Sequence, residues 1–132
     1  MTRTGQRPLH VLVAEDEALI GMAVELELQE RGHRVTVVGD GQAALEALGA
    51  EAELGKFDAV VTDMQMPRMR GDALVLRLRR DRPGLPVVVM SANHLPETAA
   101  VLRALGGPIA ILTKPAPFGR VADEVERLER EA

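Results

Sequence analysis

The chain has 132 residues, 46% of them hydrophobic and 27% charged, with a formal net charge of −4 and no cysteine. That length suits a single domain, in which folding buries roughly two thirds of the surface the unfolded chain exposes. The composition excludes a disordered chain, the short apolar runs exclude a membrane-spanning helix, and the absence of cysteine excludes a thiolate metal site. The acidic balance argues against broad binding to a phosphate backbone.

Residues 1–8 are polar, carry Arg3 and Arg7, and read as a flexible tail. They lack the apolar stretch of a signal peptide, so the expected compartment is the cytoplasm. Leu9 to Ala14 reads as a buried strand that runs directly into Glu15-Asp16-Glu17. Leu19, Met22, Ala23 and Leu26 recur at helical spacing and predict the buried face of a first helix, with Gly32 as its C-cap. Arg34 to Val38 is a β-branched second strand. The turn Gly39-Asp40-Gly41, too short for a phosphate-binding glycine loop, leads into a helix expected to bury Ala44, Leu45, Leu48 and Ala52.

The third strand carries Val60-Val61-Thr62 and ends in Asp63, followed by Met64-Gln65-Met66-Pro67. An apolar run bounded by turn signals fits a strand buried on both faces. A loop from Pro67 to Gly71 opens a third helix, about Asp72 to Asp81, which Pro83-Gly84 stops. Leu85 to Met90 is the most strand-like stretch and ends in Ser91-Ala92-Asn93. A fourth helix fits Pro96 to Leu105, with Gly106-Gly107 at its end. Pro108 to Leu112 is a short fifth strand closing on Thr113-Lys114-Pro115. The last helix begins near Pro117 and is expected to bury Phe118, Val121, Val125 and Leu128.

Strands alternating with helices imply right-handed crossovers and a parallel sheet covered on both faces. Ligands of such sheets sit outside the carboxyl ends of the strands. Those ends carry Glu15 and Asp16, Asp63, Ser91 and Lys114. Each has a plainer reading alone: Asp63 opening a turn, the acid pair favoured by a helix dipole, Ser91 as a cap, Lys114 solvated. Gathered into one crevice, the carboxylates must take up a cation or a proton, and oxygen-only ligation suits Mg2+. Lys114 neutralises a phosphoryl group, and the Ser91 hydroxyl hydrogen bonds to it. The implied reaction is phosphoryl transfer onto Asp63. Met64, Met66, Met69 and Met90 read as adaptable packing, and His10, His33 and His94 lack partners at metal-ligand spacing.

Glu15-Asp16, Asp63 with Met66-Pro67, Gly71, Ser91-Ala92 and Lys114-Pro115 resemble the receiver domain of two-component response regulators, over nearly the whole chain. The resemblance implies a flavodoxin-like (βα)5 fold, a doubly wound five-stranded parallel sheet of order 2-1-3-4-5, over residues 9–132. It implies Asp63 as phospho-acceptor, Asp16 and Glu15 as direct and water-mediated Mg2+ ligands, and the Gln65 carbonyl as a further ligand. Ser91 takes the place of the switch hydroxyl and Lys114, before a proline often joined by a cis bond, that of the phosphate-binding lysine. Ile111 departs from the pattern, since a tyrosine or phenylalanine is usual there.

The expected function is a stand-alone receiver. Its phosphoryl group comes from a histidine kinase or phosphotransfer protein, and its output is altered binding to a downstream protein. Direct contact with nucleic acid or membrane is not expected; a homodimer is compatible. It is not expected to be an enzyme beyond its own phosphorylation and dephosphorylation. The alternatives are a pseudo-receiver, the receiver part of a hybrid histidine kinase, or a small Mg2+-dependent phosphotransferase. Met1 leans against an excised fragment, and the missing Asp-x-Asp and cap lean against the phosphotransferase.

Overall fold

The computed structural model describes residues 6–92 and 96–132. The elements follow in the order β1 (His10–Ala14), α1 (Ala18–Glu30), β2 (Arg34–Val38), α2 (Gly41–Gly49), α3 (Glu51–Leu54) and β3 (Ala59–Asp63). Then come α4 (Gly71–Asp81), β4 (Val87–Ser91), α5 (Pro96–Ala104), β5 (Ile109–Thr113) and α6 (Arg120–Glu131). The five strands are parallel and ordered β2-β1-β3-β4-β5, the expected flavodoxin-like arrangement. The direction of winding reverses between β1 and β3, which makes the carboxyl ends of those strands the place for a ligand.

Alternate residues of each inner strand feed two apolar layers. On one side of the sheet, Val11, Val13, Val61 and Val88 pack with Val24 and Leu28 of α1 and Val121 and Val125 of α6. On the other, Leu12, Val60, Val87 and Val89 pack with Leu74 and Leu78 of α4 and Leu102 of α5. Burial on both faces explains why these strands read as unbroken apolar runs. Among the described residues no helix is long and apolar enough to cross a membrane.

Four expectations are corrected. The stripe Leu19, Met22, Ala23 and Leu26 does not face the sheet: Leu19 is 81% exposed, Met22 62% and Leu26 51%. Val24 and Leu28 take the core side with the partly buried Ile20, because on that side Glu27 and Arg31 meet partners in α6. The second helix stops at Gly49 and restarts as α3, which leaves Ala52 exposed, while Ala44 and Ala47 are buried and Leu45 and Leu48 half-buried. Phe118 is exposed, since α6 starts only after Gly119, whose φ of 93° lies in the left-handed region. Phe57, by contrast, is fully buried and stacks on His10 at 4.2 Å. Residues 6–8 of the expected loose tail lie on the domain. Gln6 is buried, Arg7 pairs with Asp58 at 3.2 Å and Glu129 at 2.9 Å, and Arg130 donates to Gln6 Oε1 at 3.4 Å. Residues 1–5, Asn93 and His94 are outside the described residues.

The first and last helices are joined by buried polar contacts. Gly119 cannot cap α6 with a side chain, so Glu27 does so from α1: the Ala122 N–H donates to Glu27 Oε2 at 2.8 Å. Burial holds the Glu27 carboxyl above the usual range, against the pull of that N–H. Arg31 donates to Glu126 Oε1 at 3.0 Å and to Asp123 Oδ1 at 2.8 Å. His33 Nδ1 accepts the Leu9 N–H at 3.0 Å, so Nε2 carries the proton that it donates to Glu126 Oε2 at 2.8 Å.

Candidate functional site

Asp63 closes β3 beside Met90 of β4 and is 1% exposed. Glu15, directly after β1, is likewise buried, whereas Asp16 stands exposed at the mouth. Lys114 follows β5, and its backbone N–H donates to the Ser91 carbonyl at 2.8 Å, which ties the ends of β4 and β5 together. The Lys114–Pro115 peptide bond is cis. These positions bring Glu15, Asp16, Asp63 and Lys114 to one crevice, with half-buried Ser91 at its edge.

Lys114 Nζ donates to Asp63 Oδ2 at 2.8 Å and lies 3.1 Å from Glu15 Oε1 and 3.7 Å from Glu17 Oε1. The Gln65 N–H donates to Asp63 Oδ1 at 3.3 Å and the Glu17 N–H to a Glu15 oxygen at 3.0 Å. One lysine thus serves several acids, and the buried Glu15 Oε1 lacks an aligned hydrogen bond. Burial pushes the Glu15 carboxyl up to about 7, although the Glu17 N–H and Lys114 both oppose this. Burial also pulls Lys114 down, but its hydrogen bond to Asp63 and its ion pair with Glu15 more than offset that and hold it above its usual range.

Glu15, Asp16 and Asp63 each offer a carboxylate oxygen, and these oxygens lie within 4.8 Å of one another. An all-oxygen donor set with a buried oxygen that accepts no hydrogen bond fits a hard divalent cation such as Mg2+. Glu15, Asp16 and Asp63 would hold it. Gln65 sits two residues beyond Asp63, adjoining this set.

Gly71 and Asp40 are legible in the sequence as motif and turn residues, but their roles at the site are not, and neither is a third support. Gly71 begins α4 where any side chain would collide with the Asp63 carbonyl oxygen and lie 2.9 Å from Met64 Cα. Its N–H donates to the Met64 carbonyl at 3.0 Å, so the backbone after Asp63 is clamped against the helix start. Asp40 caps α2 through the Ala43 N–H at 2.8 Å and also holds Arg68 at 2.7 Å, fixing the loop in which Arg68 has a φ of 65°. Third, a crevice of about 440 Å³ reaches Lys114. Leu19, Ile20, Val24 and Glu27 of α1 line one wall, Lys114 and Phe118 the other. The local signal for Gly71 is a glycine at the end of the loop that follows Asp63. Ile111, half-buried, packs against the apolar layer of α4 and α5.

A doubly wound sheet of order 2-1-3-4-5 with acids and a lysine at its carboxyl edge defines an α/β domain built around a charged, cation-ready centre. Residues 11–126 match the family model of the response regulator receiver domain. The chain belongs to that family, the receivers of two-component systems. It is 32% identical over 130 residues to the probable transcriptional regulatory protein TcrX of Mycobacterium tuberculosis, covering 98% of this chain and 53% of TcrX. It is also 32% identical over 130 residues to the sensory/regulatory protein RpfC of Xanthomonas campestris, covering 96% of this chain and 17% of RpfC. The chain therefore spans about half the length of the one relative and a smaller share of the other. The receiver domain of the Francisella response regulator 1452 superposes with a TM-score of 0.79 at 28% identity, covering 93% of this chain and 98% of that one.

Proposed function

We propose that residues 9–132 form a receiver that accepts a phosphoryl group on Asp63 from a phosphohistidine and signals through altered protein binding. The observation that carries this is the buried Asp63 carboxylate, held by Lys114 Nζ at 2.8 Å beside Glu15 and Asp16. An Asp63 oxygen attacks phosphorus; the new P–O bond forms as the P–N bond to the donor imidazole breaks, and the imidazole leaves with its electron pair. Lys114 moves its hydrogen bond from the carboxylate to a phosphoryl oxygen, and the Ser91 hydroxyl supplies another donor. When bound, Mg2+ supplies charge neutralisation for the phosphoryl oxygens. Glu15 and Asp16 would hold it, with Asp63 and the Gln65 carbonyl completing the protein's share.

The donor docks on the exposed α1 ridge beside Phe118, because the apolar crevice there ends at Lys114. The chain acts as no enzyme on outside substrates and works in the cytoplasm. Because Ile111 replaces the usual aromatic, output runs through the loop after Ser91 and through α5. Intact mass after incubation with acetyl phosphate and Mg2+ tests the chemistry. One phosphoryl adduct is expected, absent with chelator and in Asp63→Asn. An adduct that persists in Asp63→Asn, or none at all although Mg2+ binds, would overturn the assignment.

A further inference from the structure

Two exposed apolar surfaces lie on opposite sides of the sheet and carry opposite charge. The first is the outer face of α1, where Leu19, Met22 and Leu26 point away from the core. Glu25 and Glu30 flank it, and neither has an ion-pair partner among the described residues. Helices that bury one face normally turn charge outward, so an apolar outer face calls for a partner. The second surface is the groove between α4 and α5, about 280 Å³, lined by Ala73, Leu76, Val101, Leu102 and Leu105 and by Asp72, whose charge Arg70 offsets at 3.4 Å. Leu76 is 48% exposed and Val101 63%. On the outer face of α4, Arg77 and Arg80 follow Ala73 and Leu76 at four-residue spacing, so they border this groove. Arg77 pairs with Asp81 at 3.3 Å, while Arg80 has no ion pair among the described residues.

An acid-flanked apolar ridge and an arginine-bordered apolar groove are complementary in shape and sign. Pairing α1 with α1 in a two-fold dimer would set acids against acids. We infer that the α1 ridge of one copy docks in the α4–α5 groove of a second copy. The contact is heterologous, because ridge and groove are different surfaces on opposite sides of the sheet. The pair keeps one free ridge and one free groove, so association is open-ended. A patch of this size gives a weak, reversible contact. The ridge is also where the proposed donor docks, so self-association and docking compete.

Sedimentation velocity over about 10 to about 500 μM spans the range for such a contact. The weight-average mass of the wild-type chain is expected to rise with concentration. The rise should shrink in about 0.5 M salt, where the Debye length falls to roughly 4 Å. Two double variants separate the surfaces. Leu76→Glu with Arg80→Glu disables the groove, and Leu19→Lys with Leu26→Lys disables the ridge; all four side chains are exposed, so the fold is kept. Each variant alone should stay monomeric. Their equimolar mixture should form a 1:1 dimer and nothing larger, because the first still offers a ridge and the second a groove. A wild-type chain monomeric throughout overturns the inference, whether or not its ridge binds a phosphodonor. So does association that survives in either variant, or a mixture that remains monomeric. None of these outcomes depends on phosphorylation of Asp63, which the mass measurement reads separately.

Discussion

Replacing Glu15 by glutamine removes one buried charge while keeping an acceptor for the Glu17 N–H and for Lys114. In the metal-free protein the Glu15 carboxyl stands at about 7 against an ordinary 4.5. The folded state therefore holds this proton more tightly than the unfolded state. The associated stability is complete below pH 4.5 and is lost as pH rises through about 7. The gap between 4.5 and about 7, at about 1.4 kcal/mol for each tenfold in proton affinity, sets an upper bound of about 3.5 kcal/mol. At about 3 to 5 °C per kcal/mol for a chain of this size, metal-free wild type should melt roughly 10 °C lower at about pH 8.5 than this group alone would allow at about pH 5. Far-ultraviolet circular dichroism is the probe, since the chain has neither tryptophan nor tyrosine. In chelator, Glu15→Gln should melt above wild type on the alkaline side and converge with it near pH 5. Mg2+ should raise wild type more than the variant, because bound cation stabilises the state that holds it. Parallel melting curves for the two proteins across this range, or equal stabilisation by Mg2+, would refute the assignment of Glu15 as the titrating, cation-holding group.

Arg79 is buried without a carboxylate partner among the described residues, and donates to the carbonyls of Leu85 and Pro108, both at 2.7 Å. Arg79→Ala should cost about 2 to 4 kcal/mol in urea unfolding, by stranding those acceptors and opening a void. Glu27→Ala should lose the α6 cap, about 1 to 2 kcal/mol by the same assay, whereas Glu27→Gln should stay within about 0.5 kcal/mol of wild type at neutral pH. Gly71→Ala forces a methyl group against the backbone of Asp63 and Met64; expected losses are about 1 to 3 kcal/mol and a slower phosphoryl adduct in the mass assay.

The sheet and its charged edge were legible because both depend on short-range pattern. Runs such as Val60-Val61-Thr62 announce strands buried on both faces, and the crossover rule then places Asp63, Glu15 and Lys114 together without any contact being known. The buried face of α1 was not legible. Leu19, Met22 and Leu26 fit helical spacing, as do Ile20, Val24 and Leu28, and only the docking of Glu27 and Arg31 on α6 decides between them. That decision rests on groups 95 residues apart in sequence. Phe118 failed for a related reason: an aromatic before a helix reads as core, but Gly119 turns the chain so that the ring faces outward. The break at Ala50 follows Gly49, but the apolar spacing that runs on to Ala52 masks that signal. The clamp of Gly71 on the chain after Asp63 acts through backbone, which a side-chain pattern does not record.

The contacts of Arg7 with Glu129 and of Gln6 with Arg130 bring the two described extremities side by side. Because α6 runs antiparallel to the strands, that meeting point lies at their amino ends, far from Asp63. Such a domain can be spliced into a host polypeptide as though it were a long surface loop, without pulling on its charged centre. A circular permutant that joins the old extremities through a short glycine-rich bridge and opens between Ala50 and Gly55 should therefore keep both its fold and its phosphoryl chemistry.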